Sequence, residues 1–126
     1  MDIIEFKKIV SSTVSQLAMK PIEYREAGIT PNFHFAHVKG VNFEFGVICS
    51  IEDNWAFCKY IEPMICELDF IDHESLSQIL RDQFCIKVLT TQELNGQFVK
   101  EPYMHNSDIK YWQPKSKGEG LFNWWD

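Results

Sequence analysis

The sequence predicts a single α+β domain over residues 1–126, with an antiparallel sheet of about five strands and an N-terminal helix and a middle helix packed on it. Three observations predict this class. Apolar residues near the N-terminus recur at helical spacing. Residues 41–51 alternate with the two-residue period of a strand. An amphipathic stretch with a helix-start signal follows at 72–83. With 126 residues, 45% hydrophobic and 14% aromatic, the chain suits one full core and has no room for two ordinary ones.

The first helix is predicted over 2–19. Ile3, Phe6, Val10, Val14 and Leu17 lay one stripe on one face, Asp2 with Glu5 matches a capping box, and Pro21 follows the end. Residues 20–32 hold Pro21, Gly28 and Pro31 and read as a connection with a short extended piece at Ile22-Glu23-Tyr24. Phe33, Phe35 and His37 then form a strand. A three-residue loop, Val38-Lys39-Gly40, with a left-handed Gly40 would join it to the strand 41–51. That register sets Phe35 opposite Phe43 and Phe33 opposite Phe45, and places Val41, Phe43, Phe45, Val47, Cys49 and Ile51 on one apolar face. With both rings buried, truncating either Phe43 or Phe45 to Ala would cost roughly 3–5 kcal/mol.

Further along, Glu52-Asp53-Asn54 is a turn and 55–61 and 64–70 are strands. Asp72 caps a helix to residue 83, with Ile71 and Leu76 placed as a hydrophobic staple. Residues 84–90 and 109–113 read as strands, Asn95-Gly96 as a turn within a hairpin, and 101–108 as loop. Ser116 and Glu119 form a last capping box, and Gly118 and Gly120 keep the helix behind it short.

No motif carries chemistry on its own. His34 and His37 stand three apart on a strand, so they point to opposite faces and share no metal. Cys58, Cys66 and His73 lack the tight ligand pair of a zinc site, and Cys49 lies on the apolar strand face, where a thiol stays protonated and inert. Ser50 and Ser107 have no nucleophile-elbow context, and no glycine-rich phosphate loop is present. Neither a cofactor nor a metal is expected. The N-terminus lacks a secretory pattern and the apolar runs are short, which predicts a cytoplasmic protein without membrane association.

Charge is distributed unevenly. The net charge of the chain is −6. Residues 40–80 hold eight acids against Lys59 alone, a net of −7, which leaves +1 for everything else. Such a field repels nucleic acid and attracts basic partners. The C-terminal segment is the other outlier, with Tyr111, Trp112, Phe122, Trp124 and Trp125 within 18 residues. Aromatics of this kind dominate binding hot spots.

That segment, Tyr111-Trp112-Gln113-Pro114 followed by Gly118-Glu119-Gly120-Leu121-Phe122-Asn123-Trp124-Trp125-Asp126, resembles the ending of small bacterial immunity proteins, which neutralise the toxins of contact-dependent and polymorphic toxin systems. Such families are many and unrelated in fold, so the resemblance assigns no binding residue. It implies an inhibitor that binds a basic partner, a cognate toxin domain. The charge pattern suggests Glu52, Asp53, Glu62, Glu67, Asp69 and Asp72 as the contact set, with Trp55 or Tyr60 as an aromatic anchor. Two other readings compete: a small enzyme or ligand-binding protein with its site near Glu67, Asp69 or His105, and a structural or adaptor subunit.

Overall fold

The computed structural model describes residues 1–125; Asp126 lies outside them. The architecture is α+β. The first helix, α1 (Ile3–Ser15), leads into a five-stranded antiparallel sheet of β1 (Lys20–Arg25), β2 (Phe33–Lys39), β3 (Glu44–Ser50), β4 (Trp55–Cys58) and β5 (Phe70–Ile71), arranged in chain order. Four helices follow: α2 (Glu74–Phe84), α3 (Thr91–Leu94), α4 (Asn106–Trp112) and α5 (Lys117–Leu121).

The helix starts obey local chemistry. Asp2 caps α1 by accepting from the amides of Ile4 and Glu5. At α2 the cap is His73 rather than Asp72: its Nδ1 accepts from Leu76 N at 3.2 Å. Asp72 instead accepts from the amide and hydroxyl of Thr91, at 2.9 and 2.7 Å, and ties the start of α2 to α3. Thr90 and Glu93 make a full capping box on α3, where a hairpin around Asn95-Gly96 was expected. Ser116 caps α5 as predicted, accepting from Glu119 N.

The helix α1 ends at Ser15 rather than residue 19, because the chain turns through a left-handed Ala18 into β1. The connection expected over 20–32 therefore contains a complete strand, of which the sequence showed only the 22–24 piece. The predicted hairpin register is wrong. Lys39 pairs with Glu44, Val38 with Phe45 and Phe35 with Ile48, leaving a four-residue loop from Gly40 to Phe43. Val41 is exposed and Phe43 half exposed, so only Phe45 of the expected aromatic pair is core. Gly40 is not left-handed. Its missing side chain makes room for the Phe43 ring, which lies 2.7 Å from where a Cβ would stand.

This register follows from a core on both sides of the sheet. On one face Ala36, Val38, Phe45, Val47, Cys49, Trp55 and Phe57 pack under Phe6, Val10 and Val14 of α1 and Leu76 and Leu80 of α2. On the other, Phe33, Phe35, Ile48, Ala56 and Cys58 pack under Leu94, Met104, Leu121 and Phe122. Phe33 and Phe35 satisfy the second face while Ala36 and Val38 satisfy the first, so the phenylalanines need not meet Phe43 and Phe45. Gly46 and Ser50, which alternate with the expected apolar face, are buried as well. The strands predicted at 55–61 and 64–70 shrink to 55–58 and 70–71, separated by an irregular strap. Residues 84–90 contribute a single bridge, Val88 to Trp55. Residues 109–113 belong to the helix α4 and the turn that ends it, not to a strand.

Candidate aromatic groove

The acidic residues do not gather on one surface. Glu52 and Asp53 occupy the β3–β4 turn, whereas Glu62, Glu67 and Asp69 follow β4 at its opposite end. With a rise of about 3.3 Å per residue, the four residues of β4 alone set its two ends about 10 Å apart. Several carboxylates already have partners. Asp53 holds the Met1 amino group at 2.9 Å, Asp69 holds Lys59 at 3.1 Å, Glu44 meets His37 at 3.0 Å, and Asp72 is bound to Thr91. Hydrogen bonding to Asp53 raises the pKa of that amino group. Burial raises the Glu52 carboxyl, and beside it burial, then Glu52 and Glu101, push the Tyr103 hydroxyl up to about 12. Glu62 and Glu67 are exposed and have no ion-pair partner among the described residues.

Neither proposed anchor is free. Trp55 is 2% exposed, with its ring 5.4 Å from Phe6 inside the first core. Tyr60 is half-buried against His37, ring centres 4.2 Å apart, beside the Arg25 guanidinium that also covers Phe35. Arg25 in turn donates to the Ile61 carbonyl at 3.0 Å, which fastens the strap to β1.

The alternative catalytic set does not assemble either. Asp69 is paired with Lys59, and His105 is the exposed N-cap residue of α4 without a side-chain cap bond. His34 and His37 do point to opposite faces: His34 stacks with Phe6 under α1, His37 with Tyr60 on the other side. Cys58 is buried in the second core while His73 stacks on Phe45 at the first, so the trio with Cys66 does not converge. Burial pushes the thiols of Cys49 and Cys58 up to about 12. No group of three or more His, Cys, Asp or Glu side chains is placed to hold a metal ion among the described residues. No helix among them is long and apolar enough to cross a membrane.

What the fold does assemble is a groove of about 370 Å³ between the strap and the C-terminal segment. Cys66, Glu67 and Leu68 form one wall; Trp112, Pro114, Ser116, Glu119, Trp124 and Trp125 form the other; Phe70, Phe122 and Gly118 lie among its lining. Trp112 is 39% exposed, and Trp124 and Trp125 are both half-buried. The second wall is held by Asn32, whose side chain donates to the Leu121 carbonyl at 3.0 Å and accepts from Asn123 N at 2.8 Å. Trp124 packs edge-on against Phe33 at 5.3 Å and also lines a smaller hollow of about 120 Å³ with Arg25, Ile61 and Ile65. The strap thus runs between two hollows, carrying exposed Met64 and Ile65 at its tip between Glu62 and Glu67.

Of the residues the sequence singled out for binding, the groove contains Glu67. The aromatic density of residues 109–125 was the signal for the rest, and the sequence alone did not show that this segment would lie beside the acidic strap. No protein-family model matches the chain, and comparison with curated proteins and with solved structures gives no significant match.

Proposed function

We propose that this chain is a protein-binding module, an immunity-type inhibitor that neutralises a basic bacterial toxin domain by covering it with the acidic, aromatic surface of the strap and the C-terminal segment. The observation that carries the reading is the meeting of Glu67 with Trp112, Trp124 and Trp125 in one groove, next to the exposed apolar tip Met64-Ile65. An apolar centre with acidic residues around it is the layout of a specific interface whose charges steer encounter and whose aromatics supply buried contact. The segment that resembles immunity proteins forms one wall of this groove, which supports the same reading from a separate direction. Glu52 and Asp53 stand at the opposite end of β4 from the strap and act at most through the long-range field, and Asp72 is engaged by Thr91.

The test is co-purification with a candidate toxin domain, sought first in the gene neighbouring this one, followed by association kinetics in increasing salt. Exposed charges are screened beyond about 8 Å at physiological ionic strength, so association slows steeply with salt. Glu62→Lys with Glu67→Lys lowers the on-rate and leaves the domain folded. A cognate toxin bound with the same rate constants by that double variant removes this surface from the mechanism.

A further inference from the structure

We propose that the 370 Å³ groove is a receptor for one arginine side chain presented by the partner. The inference deepens the protein-binding reading and rests on it for the identity of the partner, but the receptor chemistry stands on the groove itself.

Four features select the ligand. The volume lies at the small end of the roughly 300–1,000 Å³ of ligand pockets, which suits a side chain rather than a whole element of structure. The lining offers three partly exposed tryptophans, the aromatic side chain that attracts a cation most strongly, with Phe70 and the buried Phe122 packed behind them. It includes two carboxylates, Glu67 and Glu119, and no Lys or Arg. Glu67 has no ion-pair partner among the described residues, and one oxygen of Glu119 accepts from Lys115 N at 2.6 Å, leaving the other to receive a donor. An anionic ligand would face both carboxylates, with Lys115 and Lys117 next to the lining but not part of it, which disfavours a phosphate-bearing strand stacking on the same rings.

Between the two natural cations, the guanidinium fits better than an ammonium. It is planar and weakly hydrated, it stacks on aromatic faces, and its donors fork toward carboxylates. Asn95, Ser116 and Asn123 add neutral polar groups to the lining. The Asn123 side chain is committed to its own segment, with Nδ2 donating to the Gly120 carbonyl and Oδ1 accepting from Trp125 N, so it holds the tryptophan-bearing segment in place.

The experiment uses the full chain and three capped amino acids as probes: Nα-acetyl-arginine amide, the corresponding lysine amide, and the neutral citrulline amide. The four tryptophans give four indole N–H resonances, with Trp55 in the opposite core as an internal reference. The arginine probe shifts the resonances of Trp112, Trp124 and Trp125, saturating in roughly the millimolar range, and leaves Trp55 in place. The lysine probe binds more weakly, and citrulline does not saturate. Glu67→Gln and Trp112→Ala each weaken the arginine probe about threefold. Both positions are exposed, so loss of folding is not expected, and an unchanged Trp55 resonance checks it. Equal binding of citrulline, tighter binding of lysine, or no saturable shift in the three groove tryptophans overturns the proposal. Arginine binding by a chain that fails to bind a toxin domain in the co-purification test sustains the receptor and removes the inhibitor reading. Toxin binding without arginine binding does the reverse.

Discussion

The two faces of the sheet are closed in different ways. One lies under α1 and α2, helices of 13 and 11 residues whose N-termini are capped by Asp2 and His73. The other lies under α3 and α5, of four and five residues, together with loops and the irregular strap. Long amphipathic helices cover the sheet along their length, because each turn returns an apolar side chain to the same stripe; the hollows on this side, of about 400 and 420 Å³, open past the helix ends, beside Ala18 and Met19 and beside Cys85 and Ile86. Short pieces cannot tile the second face as completely, and their seams are where the groove and the smaller hollow open. One side of the sheet is closed by two continuous helices and the other by short pieces and loops.

The largest break of this contrast is expected at the hairpin. Phe45→Ala should cost about 3–5 kcal/mol, because the ring is 1% exposed and packs edge-on against Phe57 at 5.9 Å. Phe43→Ala should cost less than about 1 kcal/mol, because that ring is half exposed. Chemical denaturation of the two variants decides it: equal midpoints would place Phe43 in the core after all.

On the contact side, Gly118→Ala should cost about 1–3 kcal/mol. A Cβ there would stand 2.4 Å from the Phe70 ring and 3.1 Å from the Leu94 carbonyl, and backbone cannot retreat as a side chain can. An unchanged melting temperature would show that α5 floats on the second core instead of gripping it.

The buried thiols compare the faces directly, since Cys49 lies in the first core and Cys58 in the second. Burial raises both from an ordinary 9.0 to about 12 in the folded chain. The folded state therefore holds these protons more tightly than the unfolded one. The associated stability is complete below pH 9 and is lost as pH climbs towards 12. Thiol reagents at neutral pH should label Cys66 and Cys85, which are exposed, and reach Cys58 before Cys49 if the second face opens more readily. Simultaneous labelling of the two buried thiols would argue that both faces open only together.

The smallest effect on stability is expected at the groove rim. Glu67→Lys should change stability by no more than about 0.5 kcal/mol, since the residue is exposed and carries no ion pair among the described residues. A melting shift comparable to that of Gly118→Ala would mean that the strap is part of the core.

The same contrast explains which parts of the fold were legible in the sequence. The first face was readable because its signals are periodic and local: the stripe of Phe6, Val10 and Val14, the alternation of Phe45, Val47 and Cys49, and the run of Leu76 and Leu80. Even there the hairpin register failed, because counting aromatics favoured Phe35 opposite Phe43 and a second buried face was not foreseen. The second face is made of pieces too short to show a period. Ile109-Lys110-Tyr111-Trp112 has the composition of a strand yet forms most of α4, a seven-residue helix with no buried residue. The acidic contact set was legible as composition and not as geometry. Only the sheet topology shows that Glu52 and Asp53 stand at one end of β4 and Glu62 and Glu67 beyond the other.

The glycines of α5 have a consequence for how this surface can diversify. Phe70 presses on Gly118 and Phe98 on Gly120 so closely that an added methyl carbon would stand 2.4 and 2.5 Å from the respective rings. Larger residues at these two sites are therefore excluded by crowding, whatever partner is bound. At Glu67, Trp112 and the strap tip no such crowding acts, so replacements there are free to accumulate without unfolding the domain. Sequence change on this side of the molecule is thereby channelled to a few exposed side chains around an unaltered glycine seat. Selection would then read binding and folding at separate positions.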